Sequence, residues 1–332
     1  MNSIVIITIL VVMFALIFDV INGFHDTANA IATAVSTKAI KVPHAIILAA
    51  SMNFIGALSF TGVAKTITRD IVDPFSLPNG SVVILAALIA SIIWNLTTWY
   101  FGIPSSSSHA IIGSIAGAAI AAAGFTSLNY EGFLSIIKGL VLSPIIAFVF
   151  GYIIYSIFKL IFKNNNLAKS NNRFRKYQIF TAALQSFSHG TNDAQKTMGI
   201  ITMALIANGQ LTSNDIPFWV QFACAAAMGI GTSIGGWRII KTVGGKIMKI
   251  RPVNGVAADL TSALIIFGAT YIHIPVSTTH VISSSIMGVG ASHSLKGVKW
   301  NTAQQMIITW VITLPISAML SGIVYLLLGL IF

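Results

Sequence analysis

The stretch Ser188–Gly199, SHGTNDAQKTMG, constrains this chain more than any other. It sets His189, Asn192, Asp193, Gln195 and Lys196 between two apolar segments, Ile179–Phe187 and Ile200–Ile206. A charged side chain at the centre of a bilayer costs about 2.5–3.5 kcal/mol on insertion scales. A polar loop between two separate spans fails on length, because a spanning helix needs about 20 residues and each flank is far shorter. The expectation is one broken helix with polar groups at the break. The stretch is also duplicated. Asn22–Thr33, NGFHDTANAIAT, aligns Gly23 with Gly190, Asp26 with Asp193 and Asn29 with Lys196.

Composition fixes the setting. Charged residues make up 8% and hydrophobic ones 55% of 332 residues, and the mean hydropathy is +0.86. A soluble domain carries about 25% charge, so the chain reads as an all-α polytopic membrane protein. Long apolar runs that do not alternate exclude an outer-membrane barrel. The first run starts at Ser3 without a basic leader or a small-residue cleavage site, so it is expected to stay as a span. The single cysteine, Cys224, excludes an intramolecular disulfide and argues against a cysteine metal site.

The order of segments repeats. Pro104 and His109 lie 171 residues before Pro275 and His280, and Pro144 and Gly151 precede Pro315 and Gly322 by the same interval. The expected organisation is a first repeat over 1–162, a polar linker over 163–177 and a second repeat over 178–332. Each repeat has about five crossings if the helices after PSSSSH and PVSTTH are counted, and an odd number inverts the second copy. The charges agree. With the linker cytoplasmic, the inside segments hold 15 of the 19 Lys and Arg residues, whereas the outside loops hold only Lys65 and Arg69. This positive-inside bias puts both termini outside, in a multi-pass protein of the cell membrane. It also explains the net charge of +11 without a nucleic-acid partner. A homo-oligomer is compatible with the sequence.

Inverted repeats with broken helices are the architecture of secondary transporters, whose substrates sit near the midplane between repeats. Pro104 and Pro275 each suit the first turn of a helix, followed by Ser105, Ser106, Ser107 and Ser108 in one copy and Ser277, Thr278 and Thr279 in the other. A helix N-terminus offers free N–H donors and about half a positive charge, which favours an oxyanion. Simple helix capping is the competing reading of those hydroxyls, but two copies in register favour an anion site where the hairpin ends meet. Asn29, Gln195 and Lys196 are candidate partners of the anion. The acids Asp26 and Asp193 would repel it and suit a cation travelling with it. Sodium takes oxygen ligands, which these acids, Asn22, Asn192 and unwound carbonyls beside Gly23 and Gly190 would supply. Asp193 has an alternative in an ion pair with Lys196, three residues on. Asp259, without a copy in the first half, is open to three roles: a second ion ligand, a proton carrier or a helix-packing acceptor. Asp19 is expected as a polar neighbour of the first break. His109 and His280 lack ligands at zinc spacing and are expected to bond a carbonyl or a nearby acid. Gly229, Gly231, Gly235 and Gly236 are spaced for close helix packing.

GFHDTANAIAT and HGTNDAQKTMGI resemble the duplicated signature of the inorganic phosphate transporter family, and IPSSSSH and IPVSTTH resemble its paired hairpins. GGWRIIKTVG resembles its second-half Gly-Trp-Lys-Thr segment. The resemblance covers essentially the whole chain. It implies phosphate uptake driven by a sodium or proton gradient, with Asp26 and Asp193 as the signature acids and no cofactor beyond the coupling ions. Asp259 stands where the family commonly has Glu. His25 replaces the usual Asn, and the linker is short. A sodium-coupled phosphate symporter is the leading expectation. Proton-coupled or metal-phosphate symport comes next, then a sulfate permease. An intramembrane hydrolase is disfavoured, because every candidate nucleophile and base is duplicated where catalysis needs one asymmetric pair.

The charge distribution generates a labelling prediction. A cysteine introduced in Asn164–Asn172 reacts with an impermeant thiol reagent only from the cytoplasm, and one in Leu77–Gly80 only from outside. Reaction of both from one side would refute the inverted arrangement.

Overall fold

The computed structural model describes residues 3–72, 79–163, 167–234 and 236–331. Residues 73–78, including Leu77 and Pro78, the start of the linker at 164–166 and Gly235 lie outside the described residues. The first half is α1 (Ser3–Ser36), α2 (Val42–Ala57), α3 (Gly62–Asp70), α4 (Gly80–Phe101), α5 (Ser107–Ala123) and α6 (Tyr130–Ile161). The second half follows the same order with α7 (Leu167–Ala207), α8 (Phe218–Ile234), α9 (Trp237–Gly245), α10 (Pro252–Tyr271), α11 (Thr278–His293) and α12 (Trp300–Leu328). Among the described residues, α1, α4, α6, α10 and α12 are each long and apolar enough to cross a membrane, and the pairs α2–α3 and α8–α9 qualify together.

The breaks are not where the sequence puts them. α1 and α7 run unbroken through both signature stretches, and α7 begins inside the expected linker. No unwound carbonyls are therefore presented beside Gly23 or Gly190. The physical reason is packing. A Cβ on Gly23 would collide with the Met228 carbonyl of α8, and one on Gly190 with the Asn53 carbonyl of α2. These glycines bring helices together, and an intact helix keeps its backbone groups paired where no water can satisfy them. The breaks fall instead between α2 and α3 and between α8 and α9. α3 turns 67° from α2, and α9 is likewise sharply bent from α8. Gly231 sits against the Val20 carbonyl and Gly236 against that of Phe24, as close packing requires, whereas Gly229 makes only ordinary contacts.

A second correction concerns the prolines. Pro104 and Pro275 precede α5 and α11 by three residues, in extended segments, rather than occupying a first helical turn. Each segment leaves the preceding helix through a left-handed residue, Gly102 (φ 66°) or His273 (φ 63°). Proline then holds the residue before it extended, so the chain re-enters the protein before helix resumes.

The two halves interlock. α5 packs on α12 and α11 on α6, while α1 packs on α8 and α7 on α2. Loops also gather by predicted side. Lys65 Nζ lies 2.7 Å from Asp215 Oδ1 and holds that exposed carboxyl below its ordinary value. Val72 bridges Leu128, and Asn129 donates to the Ile71 carbonyl at 3.1 Å. At the other end of α6, about 48 Å away for 32 residues, Lys159 donates to the Ser292 carbonyl at 2.6 Å. There Met248 bridges Val298 in the basic region. Equivalent loops thus lie at opposite poles, the arrangement expected of an inverted repeat.

The glycine contacts carry a prediction. Gly190→Ala and Gly231→Ala each cost about 1–3 kcal/mol through overpacking, read as a lower unfolding midpoint in detergent. Gly268→Ala, with no neighbour within 4 Å of its Cβ, leaves the midpoint unchanged or raises it through better helix propensity.

Candidate functional site

The two hydroxyl runs and the two signature stretches meet in one buried cluster. α1 presents Asn22, His25, Asp26 and Asn29 along one stripe, because residues three and four apart share a helix face. α7 presents His189, Asn192, Asp193 and Lys196 in the same way. The first turns of α5 and α11 reach across between them, and the side chains of this cluster are buried.

The contacts repeat with the pseudo-symmetry. Within the first half, Ser107 donates to Asp26 Oδ2 in a short hydrogen bond. Its counterpart Thr278 donates to Asp193 Oδ2 at 2.8 Å. Between halves, the Asn29 amide donates to Thr279 Oγ1 at 2.8 Å, and the Lys196 ammonium donates to Ser108 Oγ at 2.6 Å. Asn29 and Lys196 are equivalent positions, as are Ser108 and Thr279. Thr279 also donates to Asp26 Oδ1 at 3.0 Å, so one carboxylate takes a hydroxyl from each half.

The symmetry fails at the charges. Lys196 forms a short ion pair with Asp193, the alternative left open by the sequence. The same ammonium donates to the Val276 carbonyl at 2.9 Å. Its three N–H groups are thereby committed, so it is not poised to touch an anion directly. Asp26 has instead His25, whose Nδ1 lies 2.6 Å from Oδ1. His25 Nε2 lies 3.3 Å from Thr98 Oγ1, which shares a 2.7 Å hydrogen bond with Ser105. His189 Nε2 lies 3.1 Å from Asp193 Oδ2 but is misaligned for a hydrogen bond.

Several candidates take other roles. Ser106 accepts from the His109 backbone N–H at 3.1 Å and Ser277 from that of His280 at 3.3 Å, so both cap their helices. Gln195 points to α3, where its Oε1 accepts from the Ala64 backbone N–H at 3.1 Å, outside the cluster. Asn192 braces the segment before α11, accepting from the Val276 N–H at 3.2 Å and donating to Thr270 at 3.0 Å. Asn22 accepts from Ser107 at 2.9 Å and stays with Asp26. Asp259 belongs to a second network, accepting from Thr33 at 2.6 Å and Thr181 at 3.3 Å. Thr33 is seven residues beyond Asp26 on α1, about 10 Å along the helix. Asp259 has the contacts of a helix-packing acceptor. Asp19 accepts from Thr197 at 2.8 Å, tying the unbroken α1 to α7.

His109 and His280 bond neither a carbonyl nor an acid. Their rings face each other across the pseudo-twofold, with centroids 4.4 Å apart, and His280 stacks on Trp310 at 4.1 Å. His109 Nδ1 lies 2.9 Å from Ser106 Oγ. Sequence reasoning missed this pair, although the shared 171-residue interval was a signal that the two occupy equivalent places. It also missed the contacts of His25 and His189 with the adjacent acids, which spacing of one and four residues could have suggested.

Capping and acid-binding hydroxyls are separable by mutation. Ser106→Ala and Ser277→Ala each remove a cap and lose about 1 kcal/mol of stability. Ser107→Ala and Thr278→Val each remove a donor from a buried carboxylate and cost about 1–3 kcal/mol. Calorimetry on the four purified variants checks both halves of the statement.

Comparison with known proteins agrees with this architecture. The profile of the Phosphate transporter family matches residues 22–321. A probable low-affinity inorganic phosphate transporter of Bacillus subtilis (strain 168) is 75% identical, covering 100% of both chains. One of Rhizobium meliloti (strain 1021) is 45% identical over 94% of this chain and 93% of its own. A solved structure described as the sodium-dependent phosphate transporter superposes with a TM-score of 0.87 at 26% identity. It covers 98% of this chain and 100% of its own. These relatives are transporters, not enzymes. The chain belongs to the Phosphate transporter family.

Proposed function

We propose that this protein imports inorganic phosphate across the cell membrane by secondary active transport, with sodium as the co-transported ion. The observation that carries the reading is the crossed pairing of the hydroxyl runs with the signature stretches. Ser107 and Thr278 each hold the acid of their own half, while Ser108 and Thr279 reach the α-helix of the other. An anion bound between Ser105–Ser108 and Ser277–Thr279 would take over these hydroxyls and couple the two halves. Repeats over 1–162 and 178–332, inverted about the linker with both termini outside, fit such a central site.

Sodium suits the environment of Asp26. Its carboxylate, the Asn22 carbonyl oxygen and the hydroxyls of Ser107 and Thr279 converge there. Asn29 Oδ1 is buried without a partner. Together they offer an all-oxygen shell. An oxyanion entering a negative cell climbs about 2.3 kcal/mol per charge per 100 mV, so a cation must travel with it. Proton coupling is the second reading, favoured by the contact of His25 with Asp26.

Radiolabelled phosphate uptake into proteoliposomes decides between them. An inward sodium gradient drives accumulation, and Asp26→Asn lowers it about tenfold or more. By linkage, sodium tightens phosphate binding in the unmodified protein and does so less in that variant. Uptake that follows an imposed pH gradient and ignores sodium overturns the sodium reading in favour of the proton.

A further inference from the structure

We propose that Lys196 is a built-in cation occupying the second acid site, so that a mobile sodium ion enters only at Asp26. This rests on the sodium-coupled reading above and sets the number of ions that the site can take.

The environment of the Lys196 ammonium is that of a bound monovalent cation. It is buried at 1% exposure. Its three partners are a carboxylate oxygen of Asp193, the hydroxyl of Ser108 and the carbonyl of Val276. Carboxylate, hydroxyl and carbonyl oxygens are also what a sodium ion would collect. Asp193 is saturated by the chain itself, since its other oxygen accepts from Thr278 and lies beside His189. A sodium ion at Asp193 would share its carboxylate with the ammonium, and two like charges so close repel strongly where little water screens them. The site is closed to a second cation.

The first half is open at the equivalent place. Asn29 keeps the hydrogen bond to the opposite hydroxyl, Thr279, but brings no charge. Its Oδ1 is buried and unpartnered, an acceptor left over on the residue whose amide meets Thr279, itself a donor to Asp26. The pseudo-symmetric pair thus holds one tethered and one exchangeable cation position. A tethered cation balances charge while the anion is bound, yet it does not leave with the anion. Each cycle then moves one sodium ion fewer than two equivalent acid sites would move.

Sodium binding to the purified protein, measured with radiolabelled sodium by equilibrium dialysis, tests this directly. The unmodified protein is expected to bind one sodium ion per chain. Lys196→Asn, which restores the residue of the symmetric position, is expected to bind two, as is Lys196→Gln. In both variants the sodium dependence of phosphate binding steepens from first to second order. Two ions bound by the unmodified protein overturn the proposal, a result that needs no variant to fold. One ion bound by folded variants overturns it equally. No sodium binding by any of the proteins, with phosphate binding retained, refutes the sodium reading itself and is distinct from both.

Discussion

Two carboxylates in the middle of a membrane protein must be matched by groups brought from elsewhere in the chain, and the site follows from that requirement. Asp26 and Asp193 stand on α1 and α7, but the hydroxyls that hold them come from the first turns of α5 and α11. An unmatched buried charge is among the most destabilising features that a fold can contain. The extended segments around Pro104 and Pro275 carry those turns into the interior, and the left-handed residues Gly102 and His273 start them. A left-handed non-glycine residue costs about 1–2 kcal/mol, so His273 stores strain that the buried contacts beyond it offset. α3, α9 and the glycine contacts serve the same end by packing the polar helices closely enough for the side chains to meet.

The two halves use one design with different electrostatics. Hydroxyl-to-acid contacts are conserved across the pseudo-twofold, whereas the third partner is an amide in one copy and an ammonium in the other. Duplication supplies the geometry, and substitution at one position, Asn29 against Lys196, removes the equivalence. A similar divergence gives Asp259 partners in Thr33 and Thr181, while the first half has Leu88 at the corresponding place.

Much of this was legible in the sequence. The intervals of 167 and 171 residues identified the partners that converge, because a duplicated element must occupy an equivalent place. The continuity of α1 and α7 was not legible. Polar residues within an apolar run signal a break only if they lack partners, and those partners are supplied by remote elements. The division of labour within SSSSH was hidden for a related reason: alternate hydroxyls face different ways once the helix starts at Ser107. Ser106 caps, while Ser107 reaches the Asp26 carboxylate and Ser108 accepts from the Lys196 ammonium. The detour of Gln195 to the N–H of Ala64 depends on where α3 ends up, which no local spacing specifies.

The interlocked packing has a consequence for how the protein is made. α5, with the hydroxyls of the first half, rests on α12, which is synthesised long after it. α11 rests on α6, synthesised well before it. Neither half can assemble its hydroxyl turn against a finished neighbour while the other is absent. Long-range contacts of this kind form late because the chain between them must be closed first. The hydroxyls of Thr278 and Thr279, which reach Asp193 and Asp26, therefore become available only after α11 is made, and the site is completed late in synthesis.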